Sequence, residues 1–307
     1  MIGEVDSAGY IVNKKRYSTG YVNQHAAVDI IKSSLHDYLR NVGTDGRIPK
    51  AIGIGLIGRV DTDAGRWLQI DPSRTTAIDL ARDITEEFGL PCFLSNDVKS
   101  AATAEQLWGY GRVSENFVYI NIGTGIAAST IIGGRLTRGS HFNAGEVGHT
   151  QVGVQVGVRC GCGRTDCVEA IASGIGFDNC ARLLSHRFPQ SGLTIDTRTD
   201  ARVDVREVYT LSQNGDQLCR VLVENAAQAI ANLIMNLVRV SDPDTVVLGG
   251  GIVSDPYMYH QIMDRLHANT MRFVTNGVVI TRLDPSYVGL LGAAAVAAER
   301  IKVAQEA

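Results

Sequence analysis

The sequence predicts an α/β fold, and three observations carry that prediction. Short apolar stretches of strand length alternate with longer ones whose apolar residues recur at helical spacing. Turn residues close the strand-like stretches: Asn96-Asp97 after 91–95, Gly123-Thr124-Gly125 after 117–122, and Gly249-Gly250-Gly251 after 245–248. A chain of 307 residues is also long enough for two compact domains.

Residues 2–6, a turn at Ser7-Ala8-Gly9 and residues 10–17 read as a hairpin. An amphipathic helix follows, marked by Val28, Ile31, Leu35, Tyr38 and Leu39. Residues 51–56 make a buried strand with Gly58-Arg59-Val60-Asp61 as its exit loop. Residues 77–88 make a helix closed by Gly89, 91–95 a strand, and 100–110 a further helix. In the second half, strand 117–122 returns through 127–132, and Gly133-Gly134 turns into Arg135-Leu136-Thr137. A helix-rich region then runs to about Val240, where Leu218, Leu222, Ala226, Ala229, Leu233 and Leu237 form a stripe suited to core packing. Strand 245–248 and a terminal Ala-rich helix over 289–303 complete the series.

A formal net charge of −3 gives no basic excess of the kind a whole-chain nucleic-acid binder carries. No apolar run approaches the roughly 18 residues that span a bilayer, and the start carries no apolar signal-peptide core. These features place the expected protein in the cytoplasm. There the six cysteines read as thiols rather than disulfides, with Cys92, Cys180 and Cys219 as small core residues.

The other three cysteines fall in the pattern His149-x10-Cys160-x-Cys162-x4-Cys167. Four soft, deprotonatable ligands in one short stretch suit a closed tetrahedral zinc site. The alternative, three reduced core cysteines, conflicts with the intervening glycines and charges, which describe a loop. Glu146 stands three residues before His149, one helical turn away, and Glu169 lies two residues after Cys167. Carboxylates and imidazole grip hydroxyls directionally; either glutamate alone also fits a solvated surface acid. Asn96-Asp97 ends a strand, where open α/β sheets place ligand groups, and the same pair is a ready helix N-cap. The two glycine triplets permit close backbone approach to an oxyanion, with Thr124 adding a hydroxyl. Neither matches a Walker loop or a dinucleotide GxGxxG.

The stretch Gly145-Glu146-Val147-Gly148-His149 … Cys160-Gly161-Cys162-Gly163-Arg164-Thr165-Asp166-Cys167-Val168-Glu169 resembles the zinc signature of the ROK family of bacterial sugar kinases and sugar-responsive repressors. Leu90-Pro91-Cys92-Phe93-Leu94-Ser95-Asn96-Asp97-Val98 resembles that family's strand and catalytic-aspartate turn. The resemblance implies an actin-like (ribonuclease H-like), two-lobed fold. The small lobe would comprise residues 1–112 plus 289–307, the large lobe 113–288. It also implies roles. Asp97 would be the general base of an ATP-dependent hexose kinase, acting on a glucose-like or N-acetylated hexose. Asn96, Asp97, Glu146, His149 and Glu169 would bind the sugar. Gly123, Thr124, Gly125, Gly249, Gly250 and Gly251 would line the Mg-ATP side. His149, Cys160, Cys162 and Cys167 would hold a structural zinc ion. A homodimer is expected on the same ground, with no membrane partner and no nucleic acid bound through this chain alone.

The match begins at the family's second strand. The opening Asp-x-Gly-Gly-Thr hairpin, which binds ATP phosphates in the kinases, has no counterpart in this sequence. Three explanations stand open: Met1 is not the biological start, the gene has decayed, or the protein has become a non-catalytic sugar sensor. The wording of Gly148-His149-Thr150-Gln151-Val152 and Glu169-Ala170-Ile171-Ala172-Ser173 is similar to the repressor branch, although no helix-turn-helix precedes it here.

Overall fold

The computed structural model describes residues 1–307 apart from 21–22, 44–46, 71–75, 197, 200 and 307, and describes backbone alone for 304–306. In chain order the regular elements begin with β1 (Ile2–Val5), β2 (Ile11–Lys15), α1 (Gln24–Asp37), β3 (Ile52–Leu56), β4 (Arg59–Asp61) and β5 (Arg66–Gln69). Then come α2 (Leu80–Phe88), β6 (Cys92–Asn96), α3 (Asp97–Trp108), β7 (Phe117–Ile122), β8 (Ile126–Ile132) and β9 (Arg135–Leu136). The helices α4 (Val168–Ala172), α5 (Gly174–Leu184), α6 (Val205–Gln213) and α7 (Gln217–Ser241) follow. The last elements are β10 (Thr245–Gly249), α8 (Pro256–Met263), α9 (Ala268–Met271), β11 (Gly277–Ile280) and α10 (Val288–Glu306). The chain divides into two compact units. One comprises Met1–Arg112, Leu136–Ala144 and Ser286–Ala307, the other Val113–Arg135 and Gly145–Pro285.

In the first unit β1 and β2 form an antiparallel hairpin. Asp6 shapes its turn, because its Oδ1 accepts the backbone N–H groups of Ala8 and Tyr10 at 2.9 Å each. Strands β3 and β6 pair in parallel, running from Ile52 beside Cys92 to Leu56 beside Asn96. Helix α10 lies directly on β3: a side chain at Gly53 would bring its Cβ within 1.8 Å of the Ala293 carbonyl oxygen. The exit loop expected at 58–61 is instead one arm of a short hairpin, β4 with β5. Trp67 explains it: the ring is buried beside Val60, and its Nε1–H donates to the Ile57 carbonyl at 3.0 Å. Such short strands carry too few residues for alternation to be visible in sequence.

The second unit is built on a five-stranded sheet in the order β11-β10-β7-β8-β9. Strand β10 runs parallel to both β7 and β11, and β8 returns antiparallel to β7. Burial on both faces accounts for the near-continuous apolar reading of β7 and β10. Helix α7 is long and apolar enough to cross a membrane by length and composition alone. Its Leu218, Leu222, Ala226, Ala229 and Leu233 nevertheless fill this unit's core, as the stripe predicted.

Internal comparison reveals one asymmetry. In the second unit an antiparallel hairpin and a parallel pair are joined through β7. The first unit holds the same two pieces, β1–β2 and β3–β6, as separate two-stranded sheets. Among the described residues it has no joining strand and no glycine turn of the Gly123–Gly125 kind.

Candidate functional site

In the first unit, Asn96 and Asp97 stand where β6 passes into α3. Asn96 is the N-cap: its Oδ1 accepts from the Val98 and Lys99 N–H groups at 3.0 and 3.2 Å, and its Nδ2 donates to the Gly58 carbonyl at 3.0 Å. The capping role weighed in the sequence is therefore filled chiefly by Asn96, and Asp97 Oδ1 shares the Val98 N–H at 3.0 Å. Asp97 is exposed at the first helical position. Protein mass around its carboxyl displaces bulk water and raises its pKa above the usual aspartate value; the backbone N–H of Val98 opposes the shift. A carboxylate of raised basicity at the end of a parallel strand can accept a hydroxyl proton.

In the second unit, the Gly-Glu-Val-Gly-His segment lies flat against β8. Gly145 has φ +105°, and a Cβ there would meet the Ala128 carbonyl oxygen at 2.0 Å. A Cβ at Gly148 would meet the Ile126 carbonyl oxygen at 2.1 Å. Both positions therefore require glycine. The close approach presents Glu146 and His149 from one short turn, Val147–His149 being a 3₁₀ segment. Glu146 is exposed, and its carboxylate makes no hydrogen bond among the described residues.

The metal loop folds back on itself through isolated bridges pairing Arg159 with Thr165 and Gln151 with Cys167. Sulfur and nitrogen converge: Cys160 Sγ lies 3.4 Å from His149 Nδ1, and Cys162 Sγ lies 3.6 Å from Cys167 Sγ. Ligand atoms of His149, Cys160 and Cys162 all fall within 4.8 Å of one another. Cys167 adjoins this trio through Cys162, while its thiol also points at the His149 carbonyl, 3.4 Å away. Bonds of about 2.3 Å to sulfur and about 2.0 Å to nitrogen imply tetrahedral edges of roughly 3.8 Å between sulfurs and 3.5 Å between sulfur and nitrogen. His149, Cys160 and Cys162 therefore have the spacing such an ion needs, and Cys167 stands outside that group. The Cys162 thiol is pulled down to about 6, chiefly by the Arg164 backbone N–H, so it is a thiolate near neutrality. Burial pushes Cys167 up to about 12, and a bound dication reverses that preference.

Sequence reasoning missed Asp166, which organises this loop. It adopts φ +56°, and its Oδ1 accepts the N–H groups of Val156, Gly157 and Val158 at 3.2, 2.8 and 3.0 Å. The available signal was an Asp in a loop that also holds Gly161 and Gly163, since Asp and Asn tolerate left-handed backbone and bond to nearby N–H groups. Asp166→Ala should weaken metal binding about 10- to 100-fold, and Asp166→Asn, which keeps an acceptor and tolerates the same φ, much less. Competition against a chromogenic chelator measures both.

The two glycine turns meet at the carboxyl end of the sheet. Ile252 N–H, just past Gly249–Gly251, donates to the Ile122 carbonyl at 3.1 Å, just before Gly123–Gly125. Gly250, with φ +95°, rests against that same residue's backbone. Glu169 reaches the far side of the first turn, its Oε2 accepting the Ile126 N–H at 2.8 Å. Within the second unit the structure thus brings the Glu169 carboxylate to the first glycine turn and the first glycine turn to the second.

A family model described as "ROK family" matches residues 1–300. Similar proteins include a glucokinase of Halalkalibacterium halodurans, 28% identical over 66% of this chain and 61% of its own length. The DNA-binding transcriptional dual regulator NagC of Escherichia coli is 25% identical over 89% of this chain and 65% of its own. The chain thus spans less than two thirds of the length of these two relatives. A crystal structure of a ROK hexokinase from Thermus thermophilus superposes with a TM-score of 0.75 at 28% identity, covering 98% of this chain and 94% of that one. The fold is the actin-like, two-lobed α/β fold of those kinases. With a family model matched over nearly its whole length, this chain belongs to the ROK family.

Proposed function

We propose that the chain is the body of an ATP-dependent hexose kinase taking a glucose-like or N-acetylated hexose. The single observation that supports this most is the convergence, at one end of the second unit's sheet, of the His149 and Glu169 segment with both glycine turns. In this reading Asn96, Asp97, Glu146, His149 and Glu169 hold the sugar. The turns Gly123-Thr124-Gly125 and Gly249-Gly250-Gly251 offer backbone donors to Mg-ATP. Asp97 takes the proton from the attacking hydroxyl. That oxygen bonds to the γ-phosphorus as the bridging bond to the β-phosphate breaks, and ADP leaves. His149, Cys160, Cys162 and Cys167 would hold zinc, which when bound supplies rigidity to the loop and no Lewis-acid step. A cytoplasmic homodimer completes the proposal, in keeping with reduced thiols and an ATP substrate.

One observation favours a second reading, a non-catalytic sugar-sensing body of the same family. Among the described residues the first unit's sheet pieces remain separate, without a glycine turn of the Gly123–Gly125 kind, and positioning of phosphate is most of what a kinase contributes. A coupled ADP-release assay over a panel of hexoses decides between the readings. The kinase reading expects turnover of about 1–100 s⁻¹ with its sugar. No ADP release with any hexose, together with a rise in Tm on adding one, would establish the sensor.

A further inference from the structure

We infer that Glu169 is a positioning residue for the Gly123–Gly125 turn, tying the metal-loop segment to the backbone expected to hold nucleotide phosphate. The ligand identities rest on the kinase reading; the clamp itself does not.

The turn is gripped from both sides by one stretch of chain. On its exit side, Glu169 Oε2 accepts the Ile126 N–H at 2.8 Å. On its entry side, the Gly174 N–H donates to the Gly123 carbonyl at 2.8 Å and the Ile175 N–H to the Thr124 carbonyl at 3.3 Å. Residues 169–175 therefore bracket the turn, and the bracket is stiff. Ser173 caps α5, and its Oγ donates to the Glu169 carbonyl at 2.7 Å. Gly125 is matched to the clamp, since a Cβ there would come within 2.6 Å of Glu169 Oε2.

The other end of the bracket is anchored at the metal knuckle. The Val168 N–H donates to the Thr150 carbonyl at 2.9 Å, and Cys167 bridges to Gln151. One rigid segment thus begins at a metal ligand and ends at the glycine turn, with Glu169 as its only side-chain grip on that turn among the described hydrogen bonds. Glu169 Oε1 makes no hydrogen bond among the described residues. One oxygen holds the backbone and the other remains available to a hydroxyl. A carboxylate divided this way couples two ligands through a shared contact.

The test compares Glu169→Ala with Glu169→Gln in the full chain. Both are first checked for wild-type metal content and Tm, then followed by amide hydrogen exchange at Ile126 and by Mg-ADP affinity. The alanine variant should speed Ile126 exchange about tenfold or more and weaken Mg-ADP about tenfold, as expected for removing a charge-assisted hydrogen bond. The glutamine variant keeps an oxygen for the Ile126 N–H, so it should hold both quantities within about threefold of wild type while weakening hexose binding. The inference is overturned if the alanine variant leaves Ile126 exchange unchanged, or if glutamine fails to restore it in a folded, metallated protein. A wild-type chain that binds no Mg-ADP defeats the kinase reading alone, because the exchange measurement still decides the clamp.

Discussion

Asp97→Asn should lower hexose phosphorylation about 10²–10⁴-fold, the usual contribution of a positioned general base, while hexose affinity stays within about tenfold of wild type. The asymmetry follows from when each interaction matters. The carboxylate accepts a proton only as the hydroxyl attacks, so its loss falls on kcat, whereas an amide of the same shape still reaches the ground-state hydroxyl. The backbone should be undisturbed, because Asn96 carries the capping bonds to Val98 and Lys99 and an asparagine at 97 keeps an oxygen for the Val98 N–H that Asp97 accepts. Full turnover in the variant would place the base elsewhere. The raised pKa of Asp97 adds two pH effects. Activity should fall on acidification with a midpoint above the ordinary aspartate value of about 3.9. For stability, a folded-state pKa above the unfolded one favours the protonated form. That contribution is fully present below the unfolded pKa and is lost as pH rises through the folded one. At neutral pH the charged carboxylate therefore disfavours folding, and Asp97→Asn should melt at a higher temperature than wild type. The gap should close as pH falls and the native carboxyl protonates. An acid- and neutral-pH pair of melting curves checks the sign.

Cys162→Ser should abolish metal binding and lower Tm by on the order of 5–10 °C together. The position makes the experiment discriminating. Cys162 is exposed, so without a metal its replacement by serine would change stability by no more than about 0.5 kcal/mol. A large loss therefore reports the ion, and elemental analysis of the purified protein reports it directly. Cys180→Ser is the contrasting control. Cys180 is buried, and its thiol is pushed up to about 12 by burial. Serine there should lower Tm through an ill-satisfied hydroxyl while leaving metal content untouched. Unchanged metal in the Cys162 variant would remove that residue from the ligand set.

The sequence disclosed elements whose information is local. The hairpin at Ile2–Lys15 follows from Asp6 and Gly9, and α2 ends at Gly89 in left-handed conformation. The stripe of α7 announces its own buried face. The clustering of His149, Cys160 and Cys162 was legible because these residues sit close along the chain and their chemistry is distinctive. What stayed hidden depends on distant partners. The β4–β5 hairpin is held by a tryptophan whose nitrogen seeks a carbonyl ten residues away. Asp166 becomes an organiser only once Val156–Val158 fold across it. The sequence offered the Asn96-Asp97 pair as a cap or as ligands, and only backbone geometry shows that Asn96 caps α3 with both Val98 and Lys99.

By itself the sequence determined an alternating α/β chain, a His-Cys-Cys-Cys donor set and a carboxylate at a strand end, since periodicity, turn chemistry and ligand type are properties of neighbouring residues. Tertiary structure alone decided that both glycine turns meet around Ile122 and that Glu169 reaches Ile126. Those outcomes depend on parallel strand pairing and helix-to-turn contacts between segments far apart in the chain, whose register is set by packing rather than by local preference.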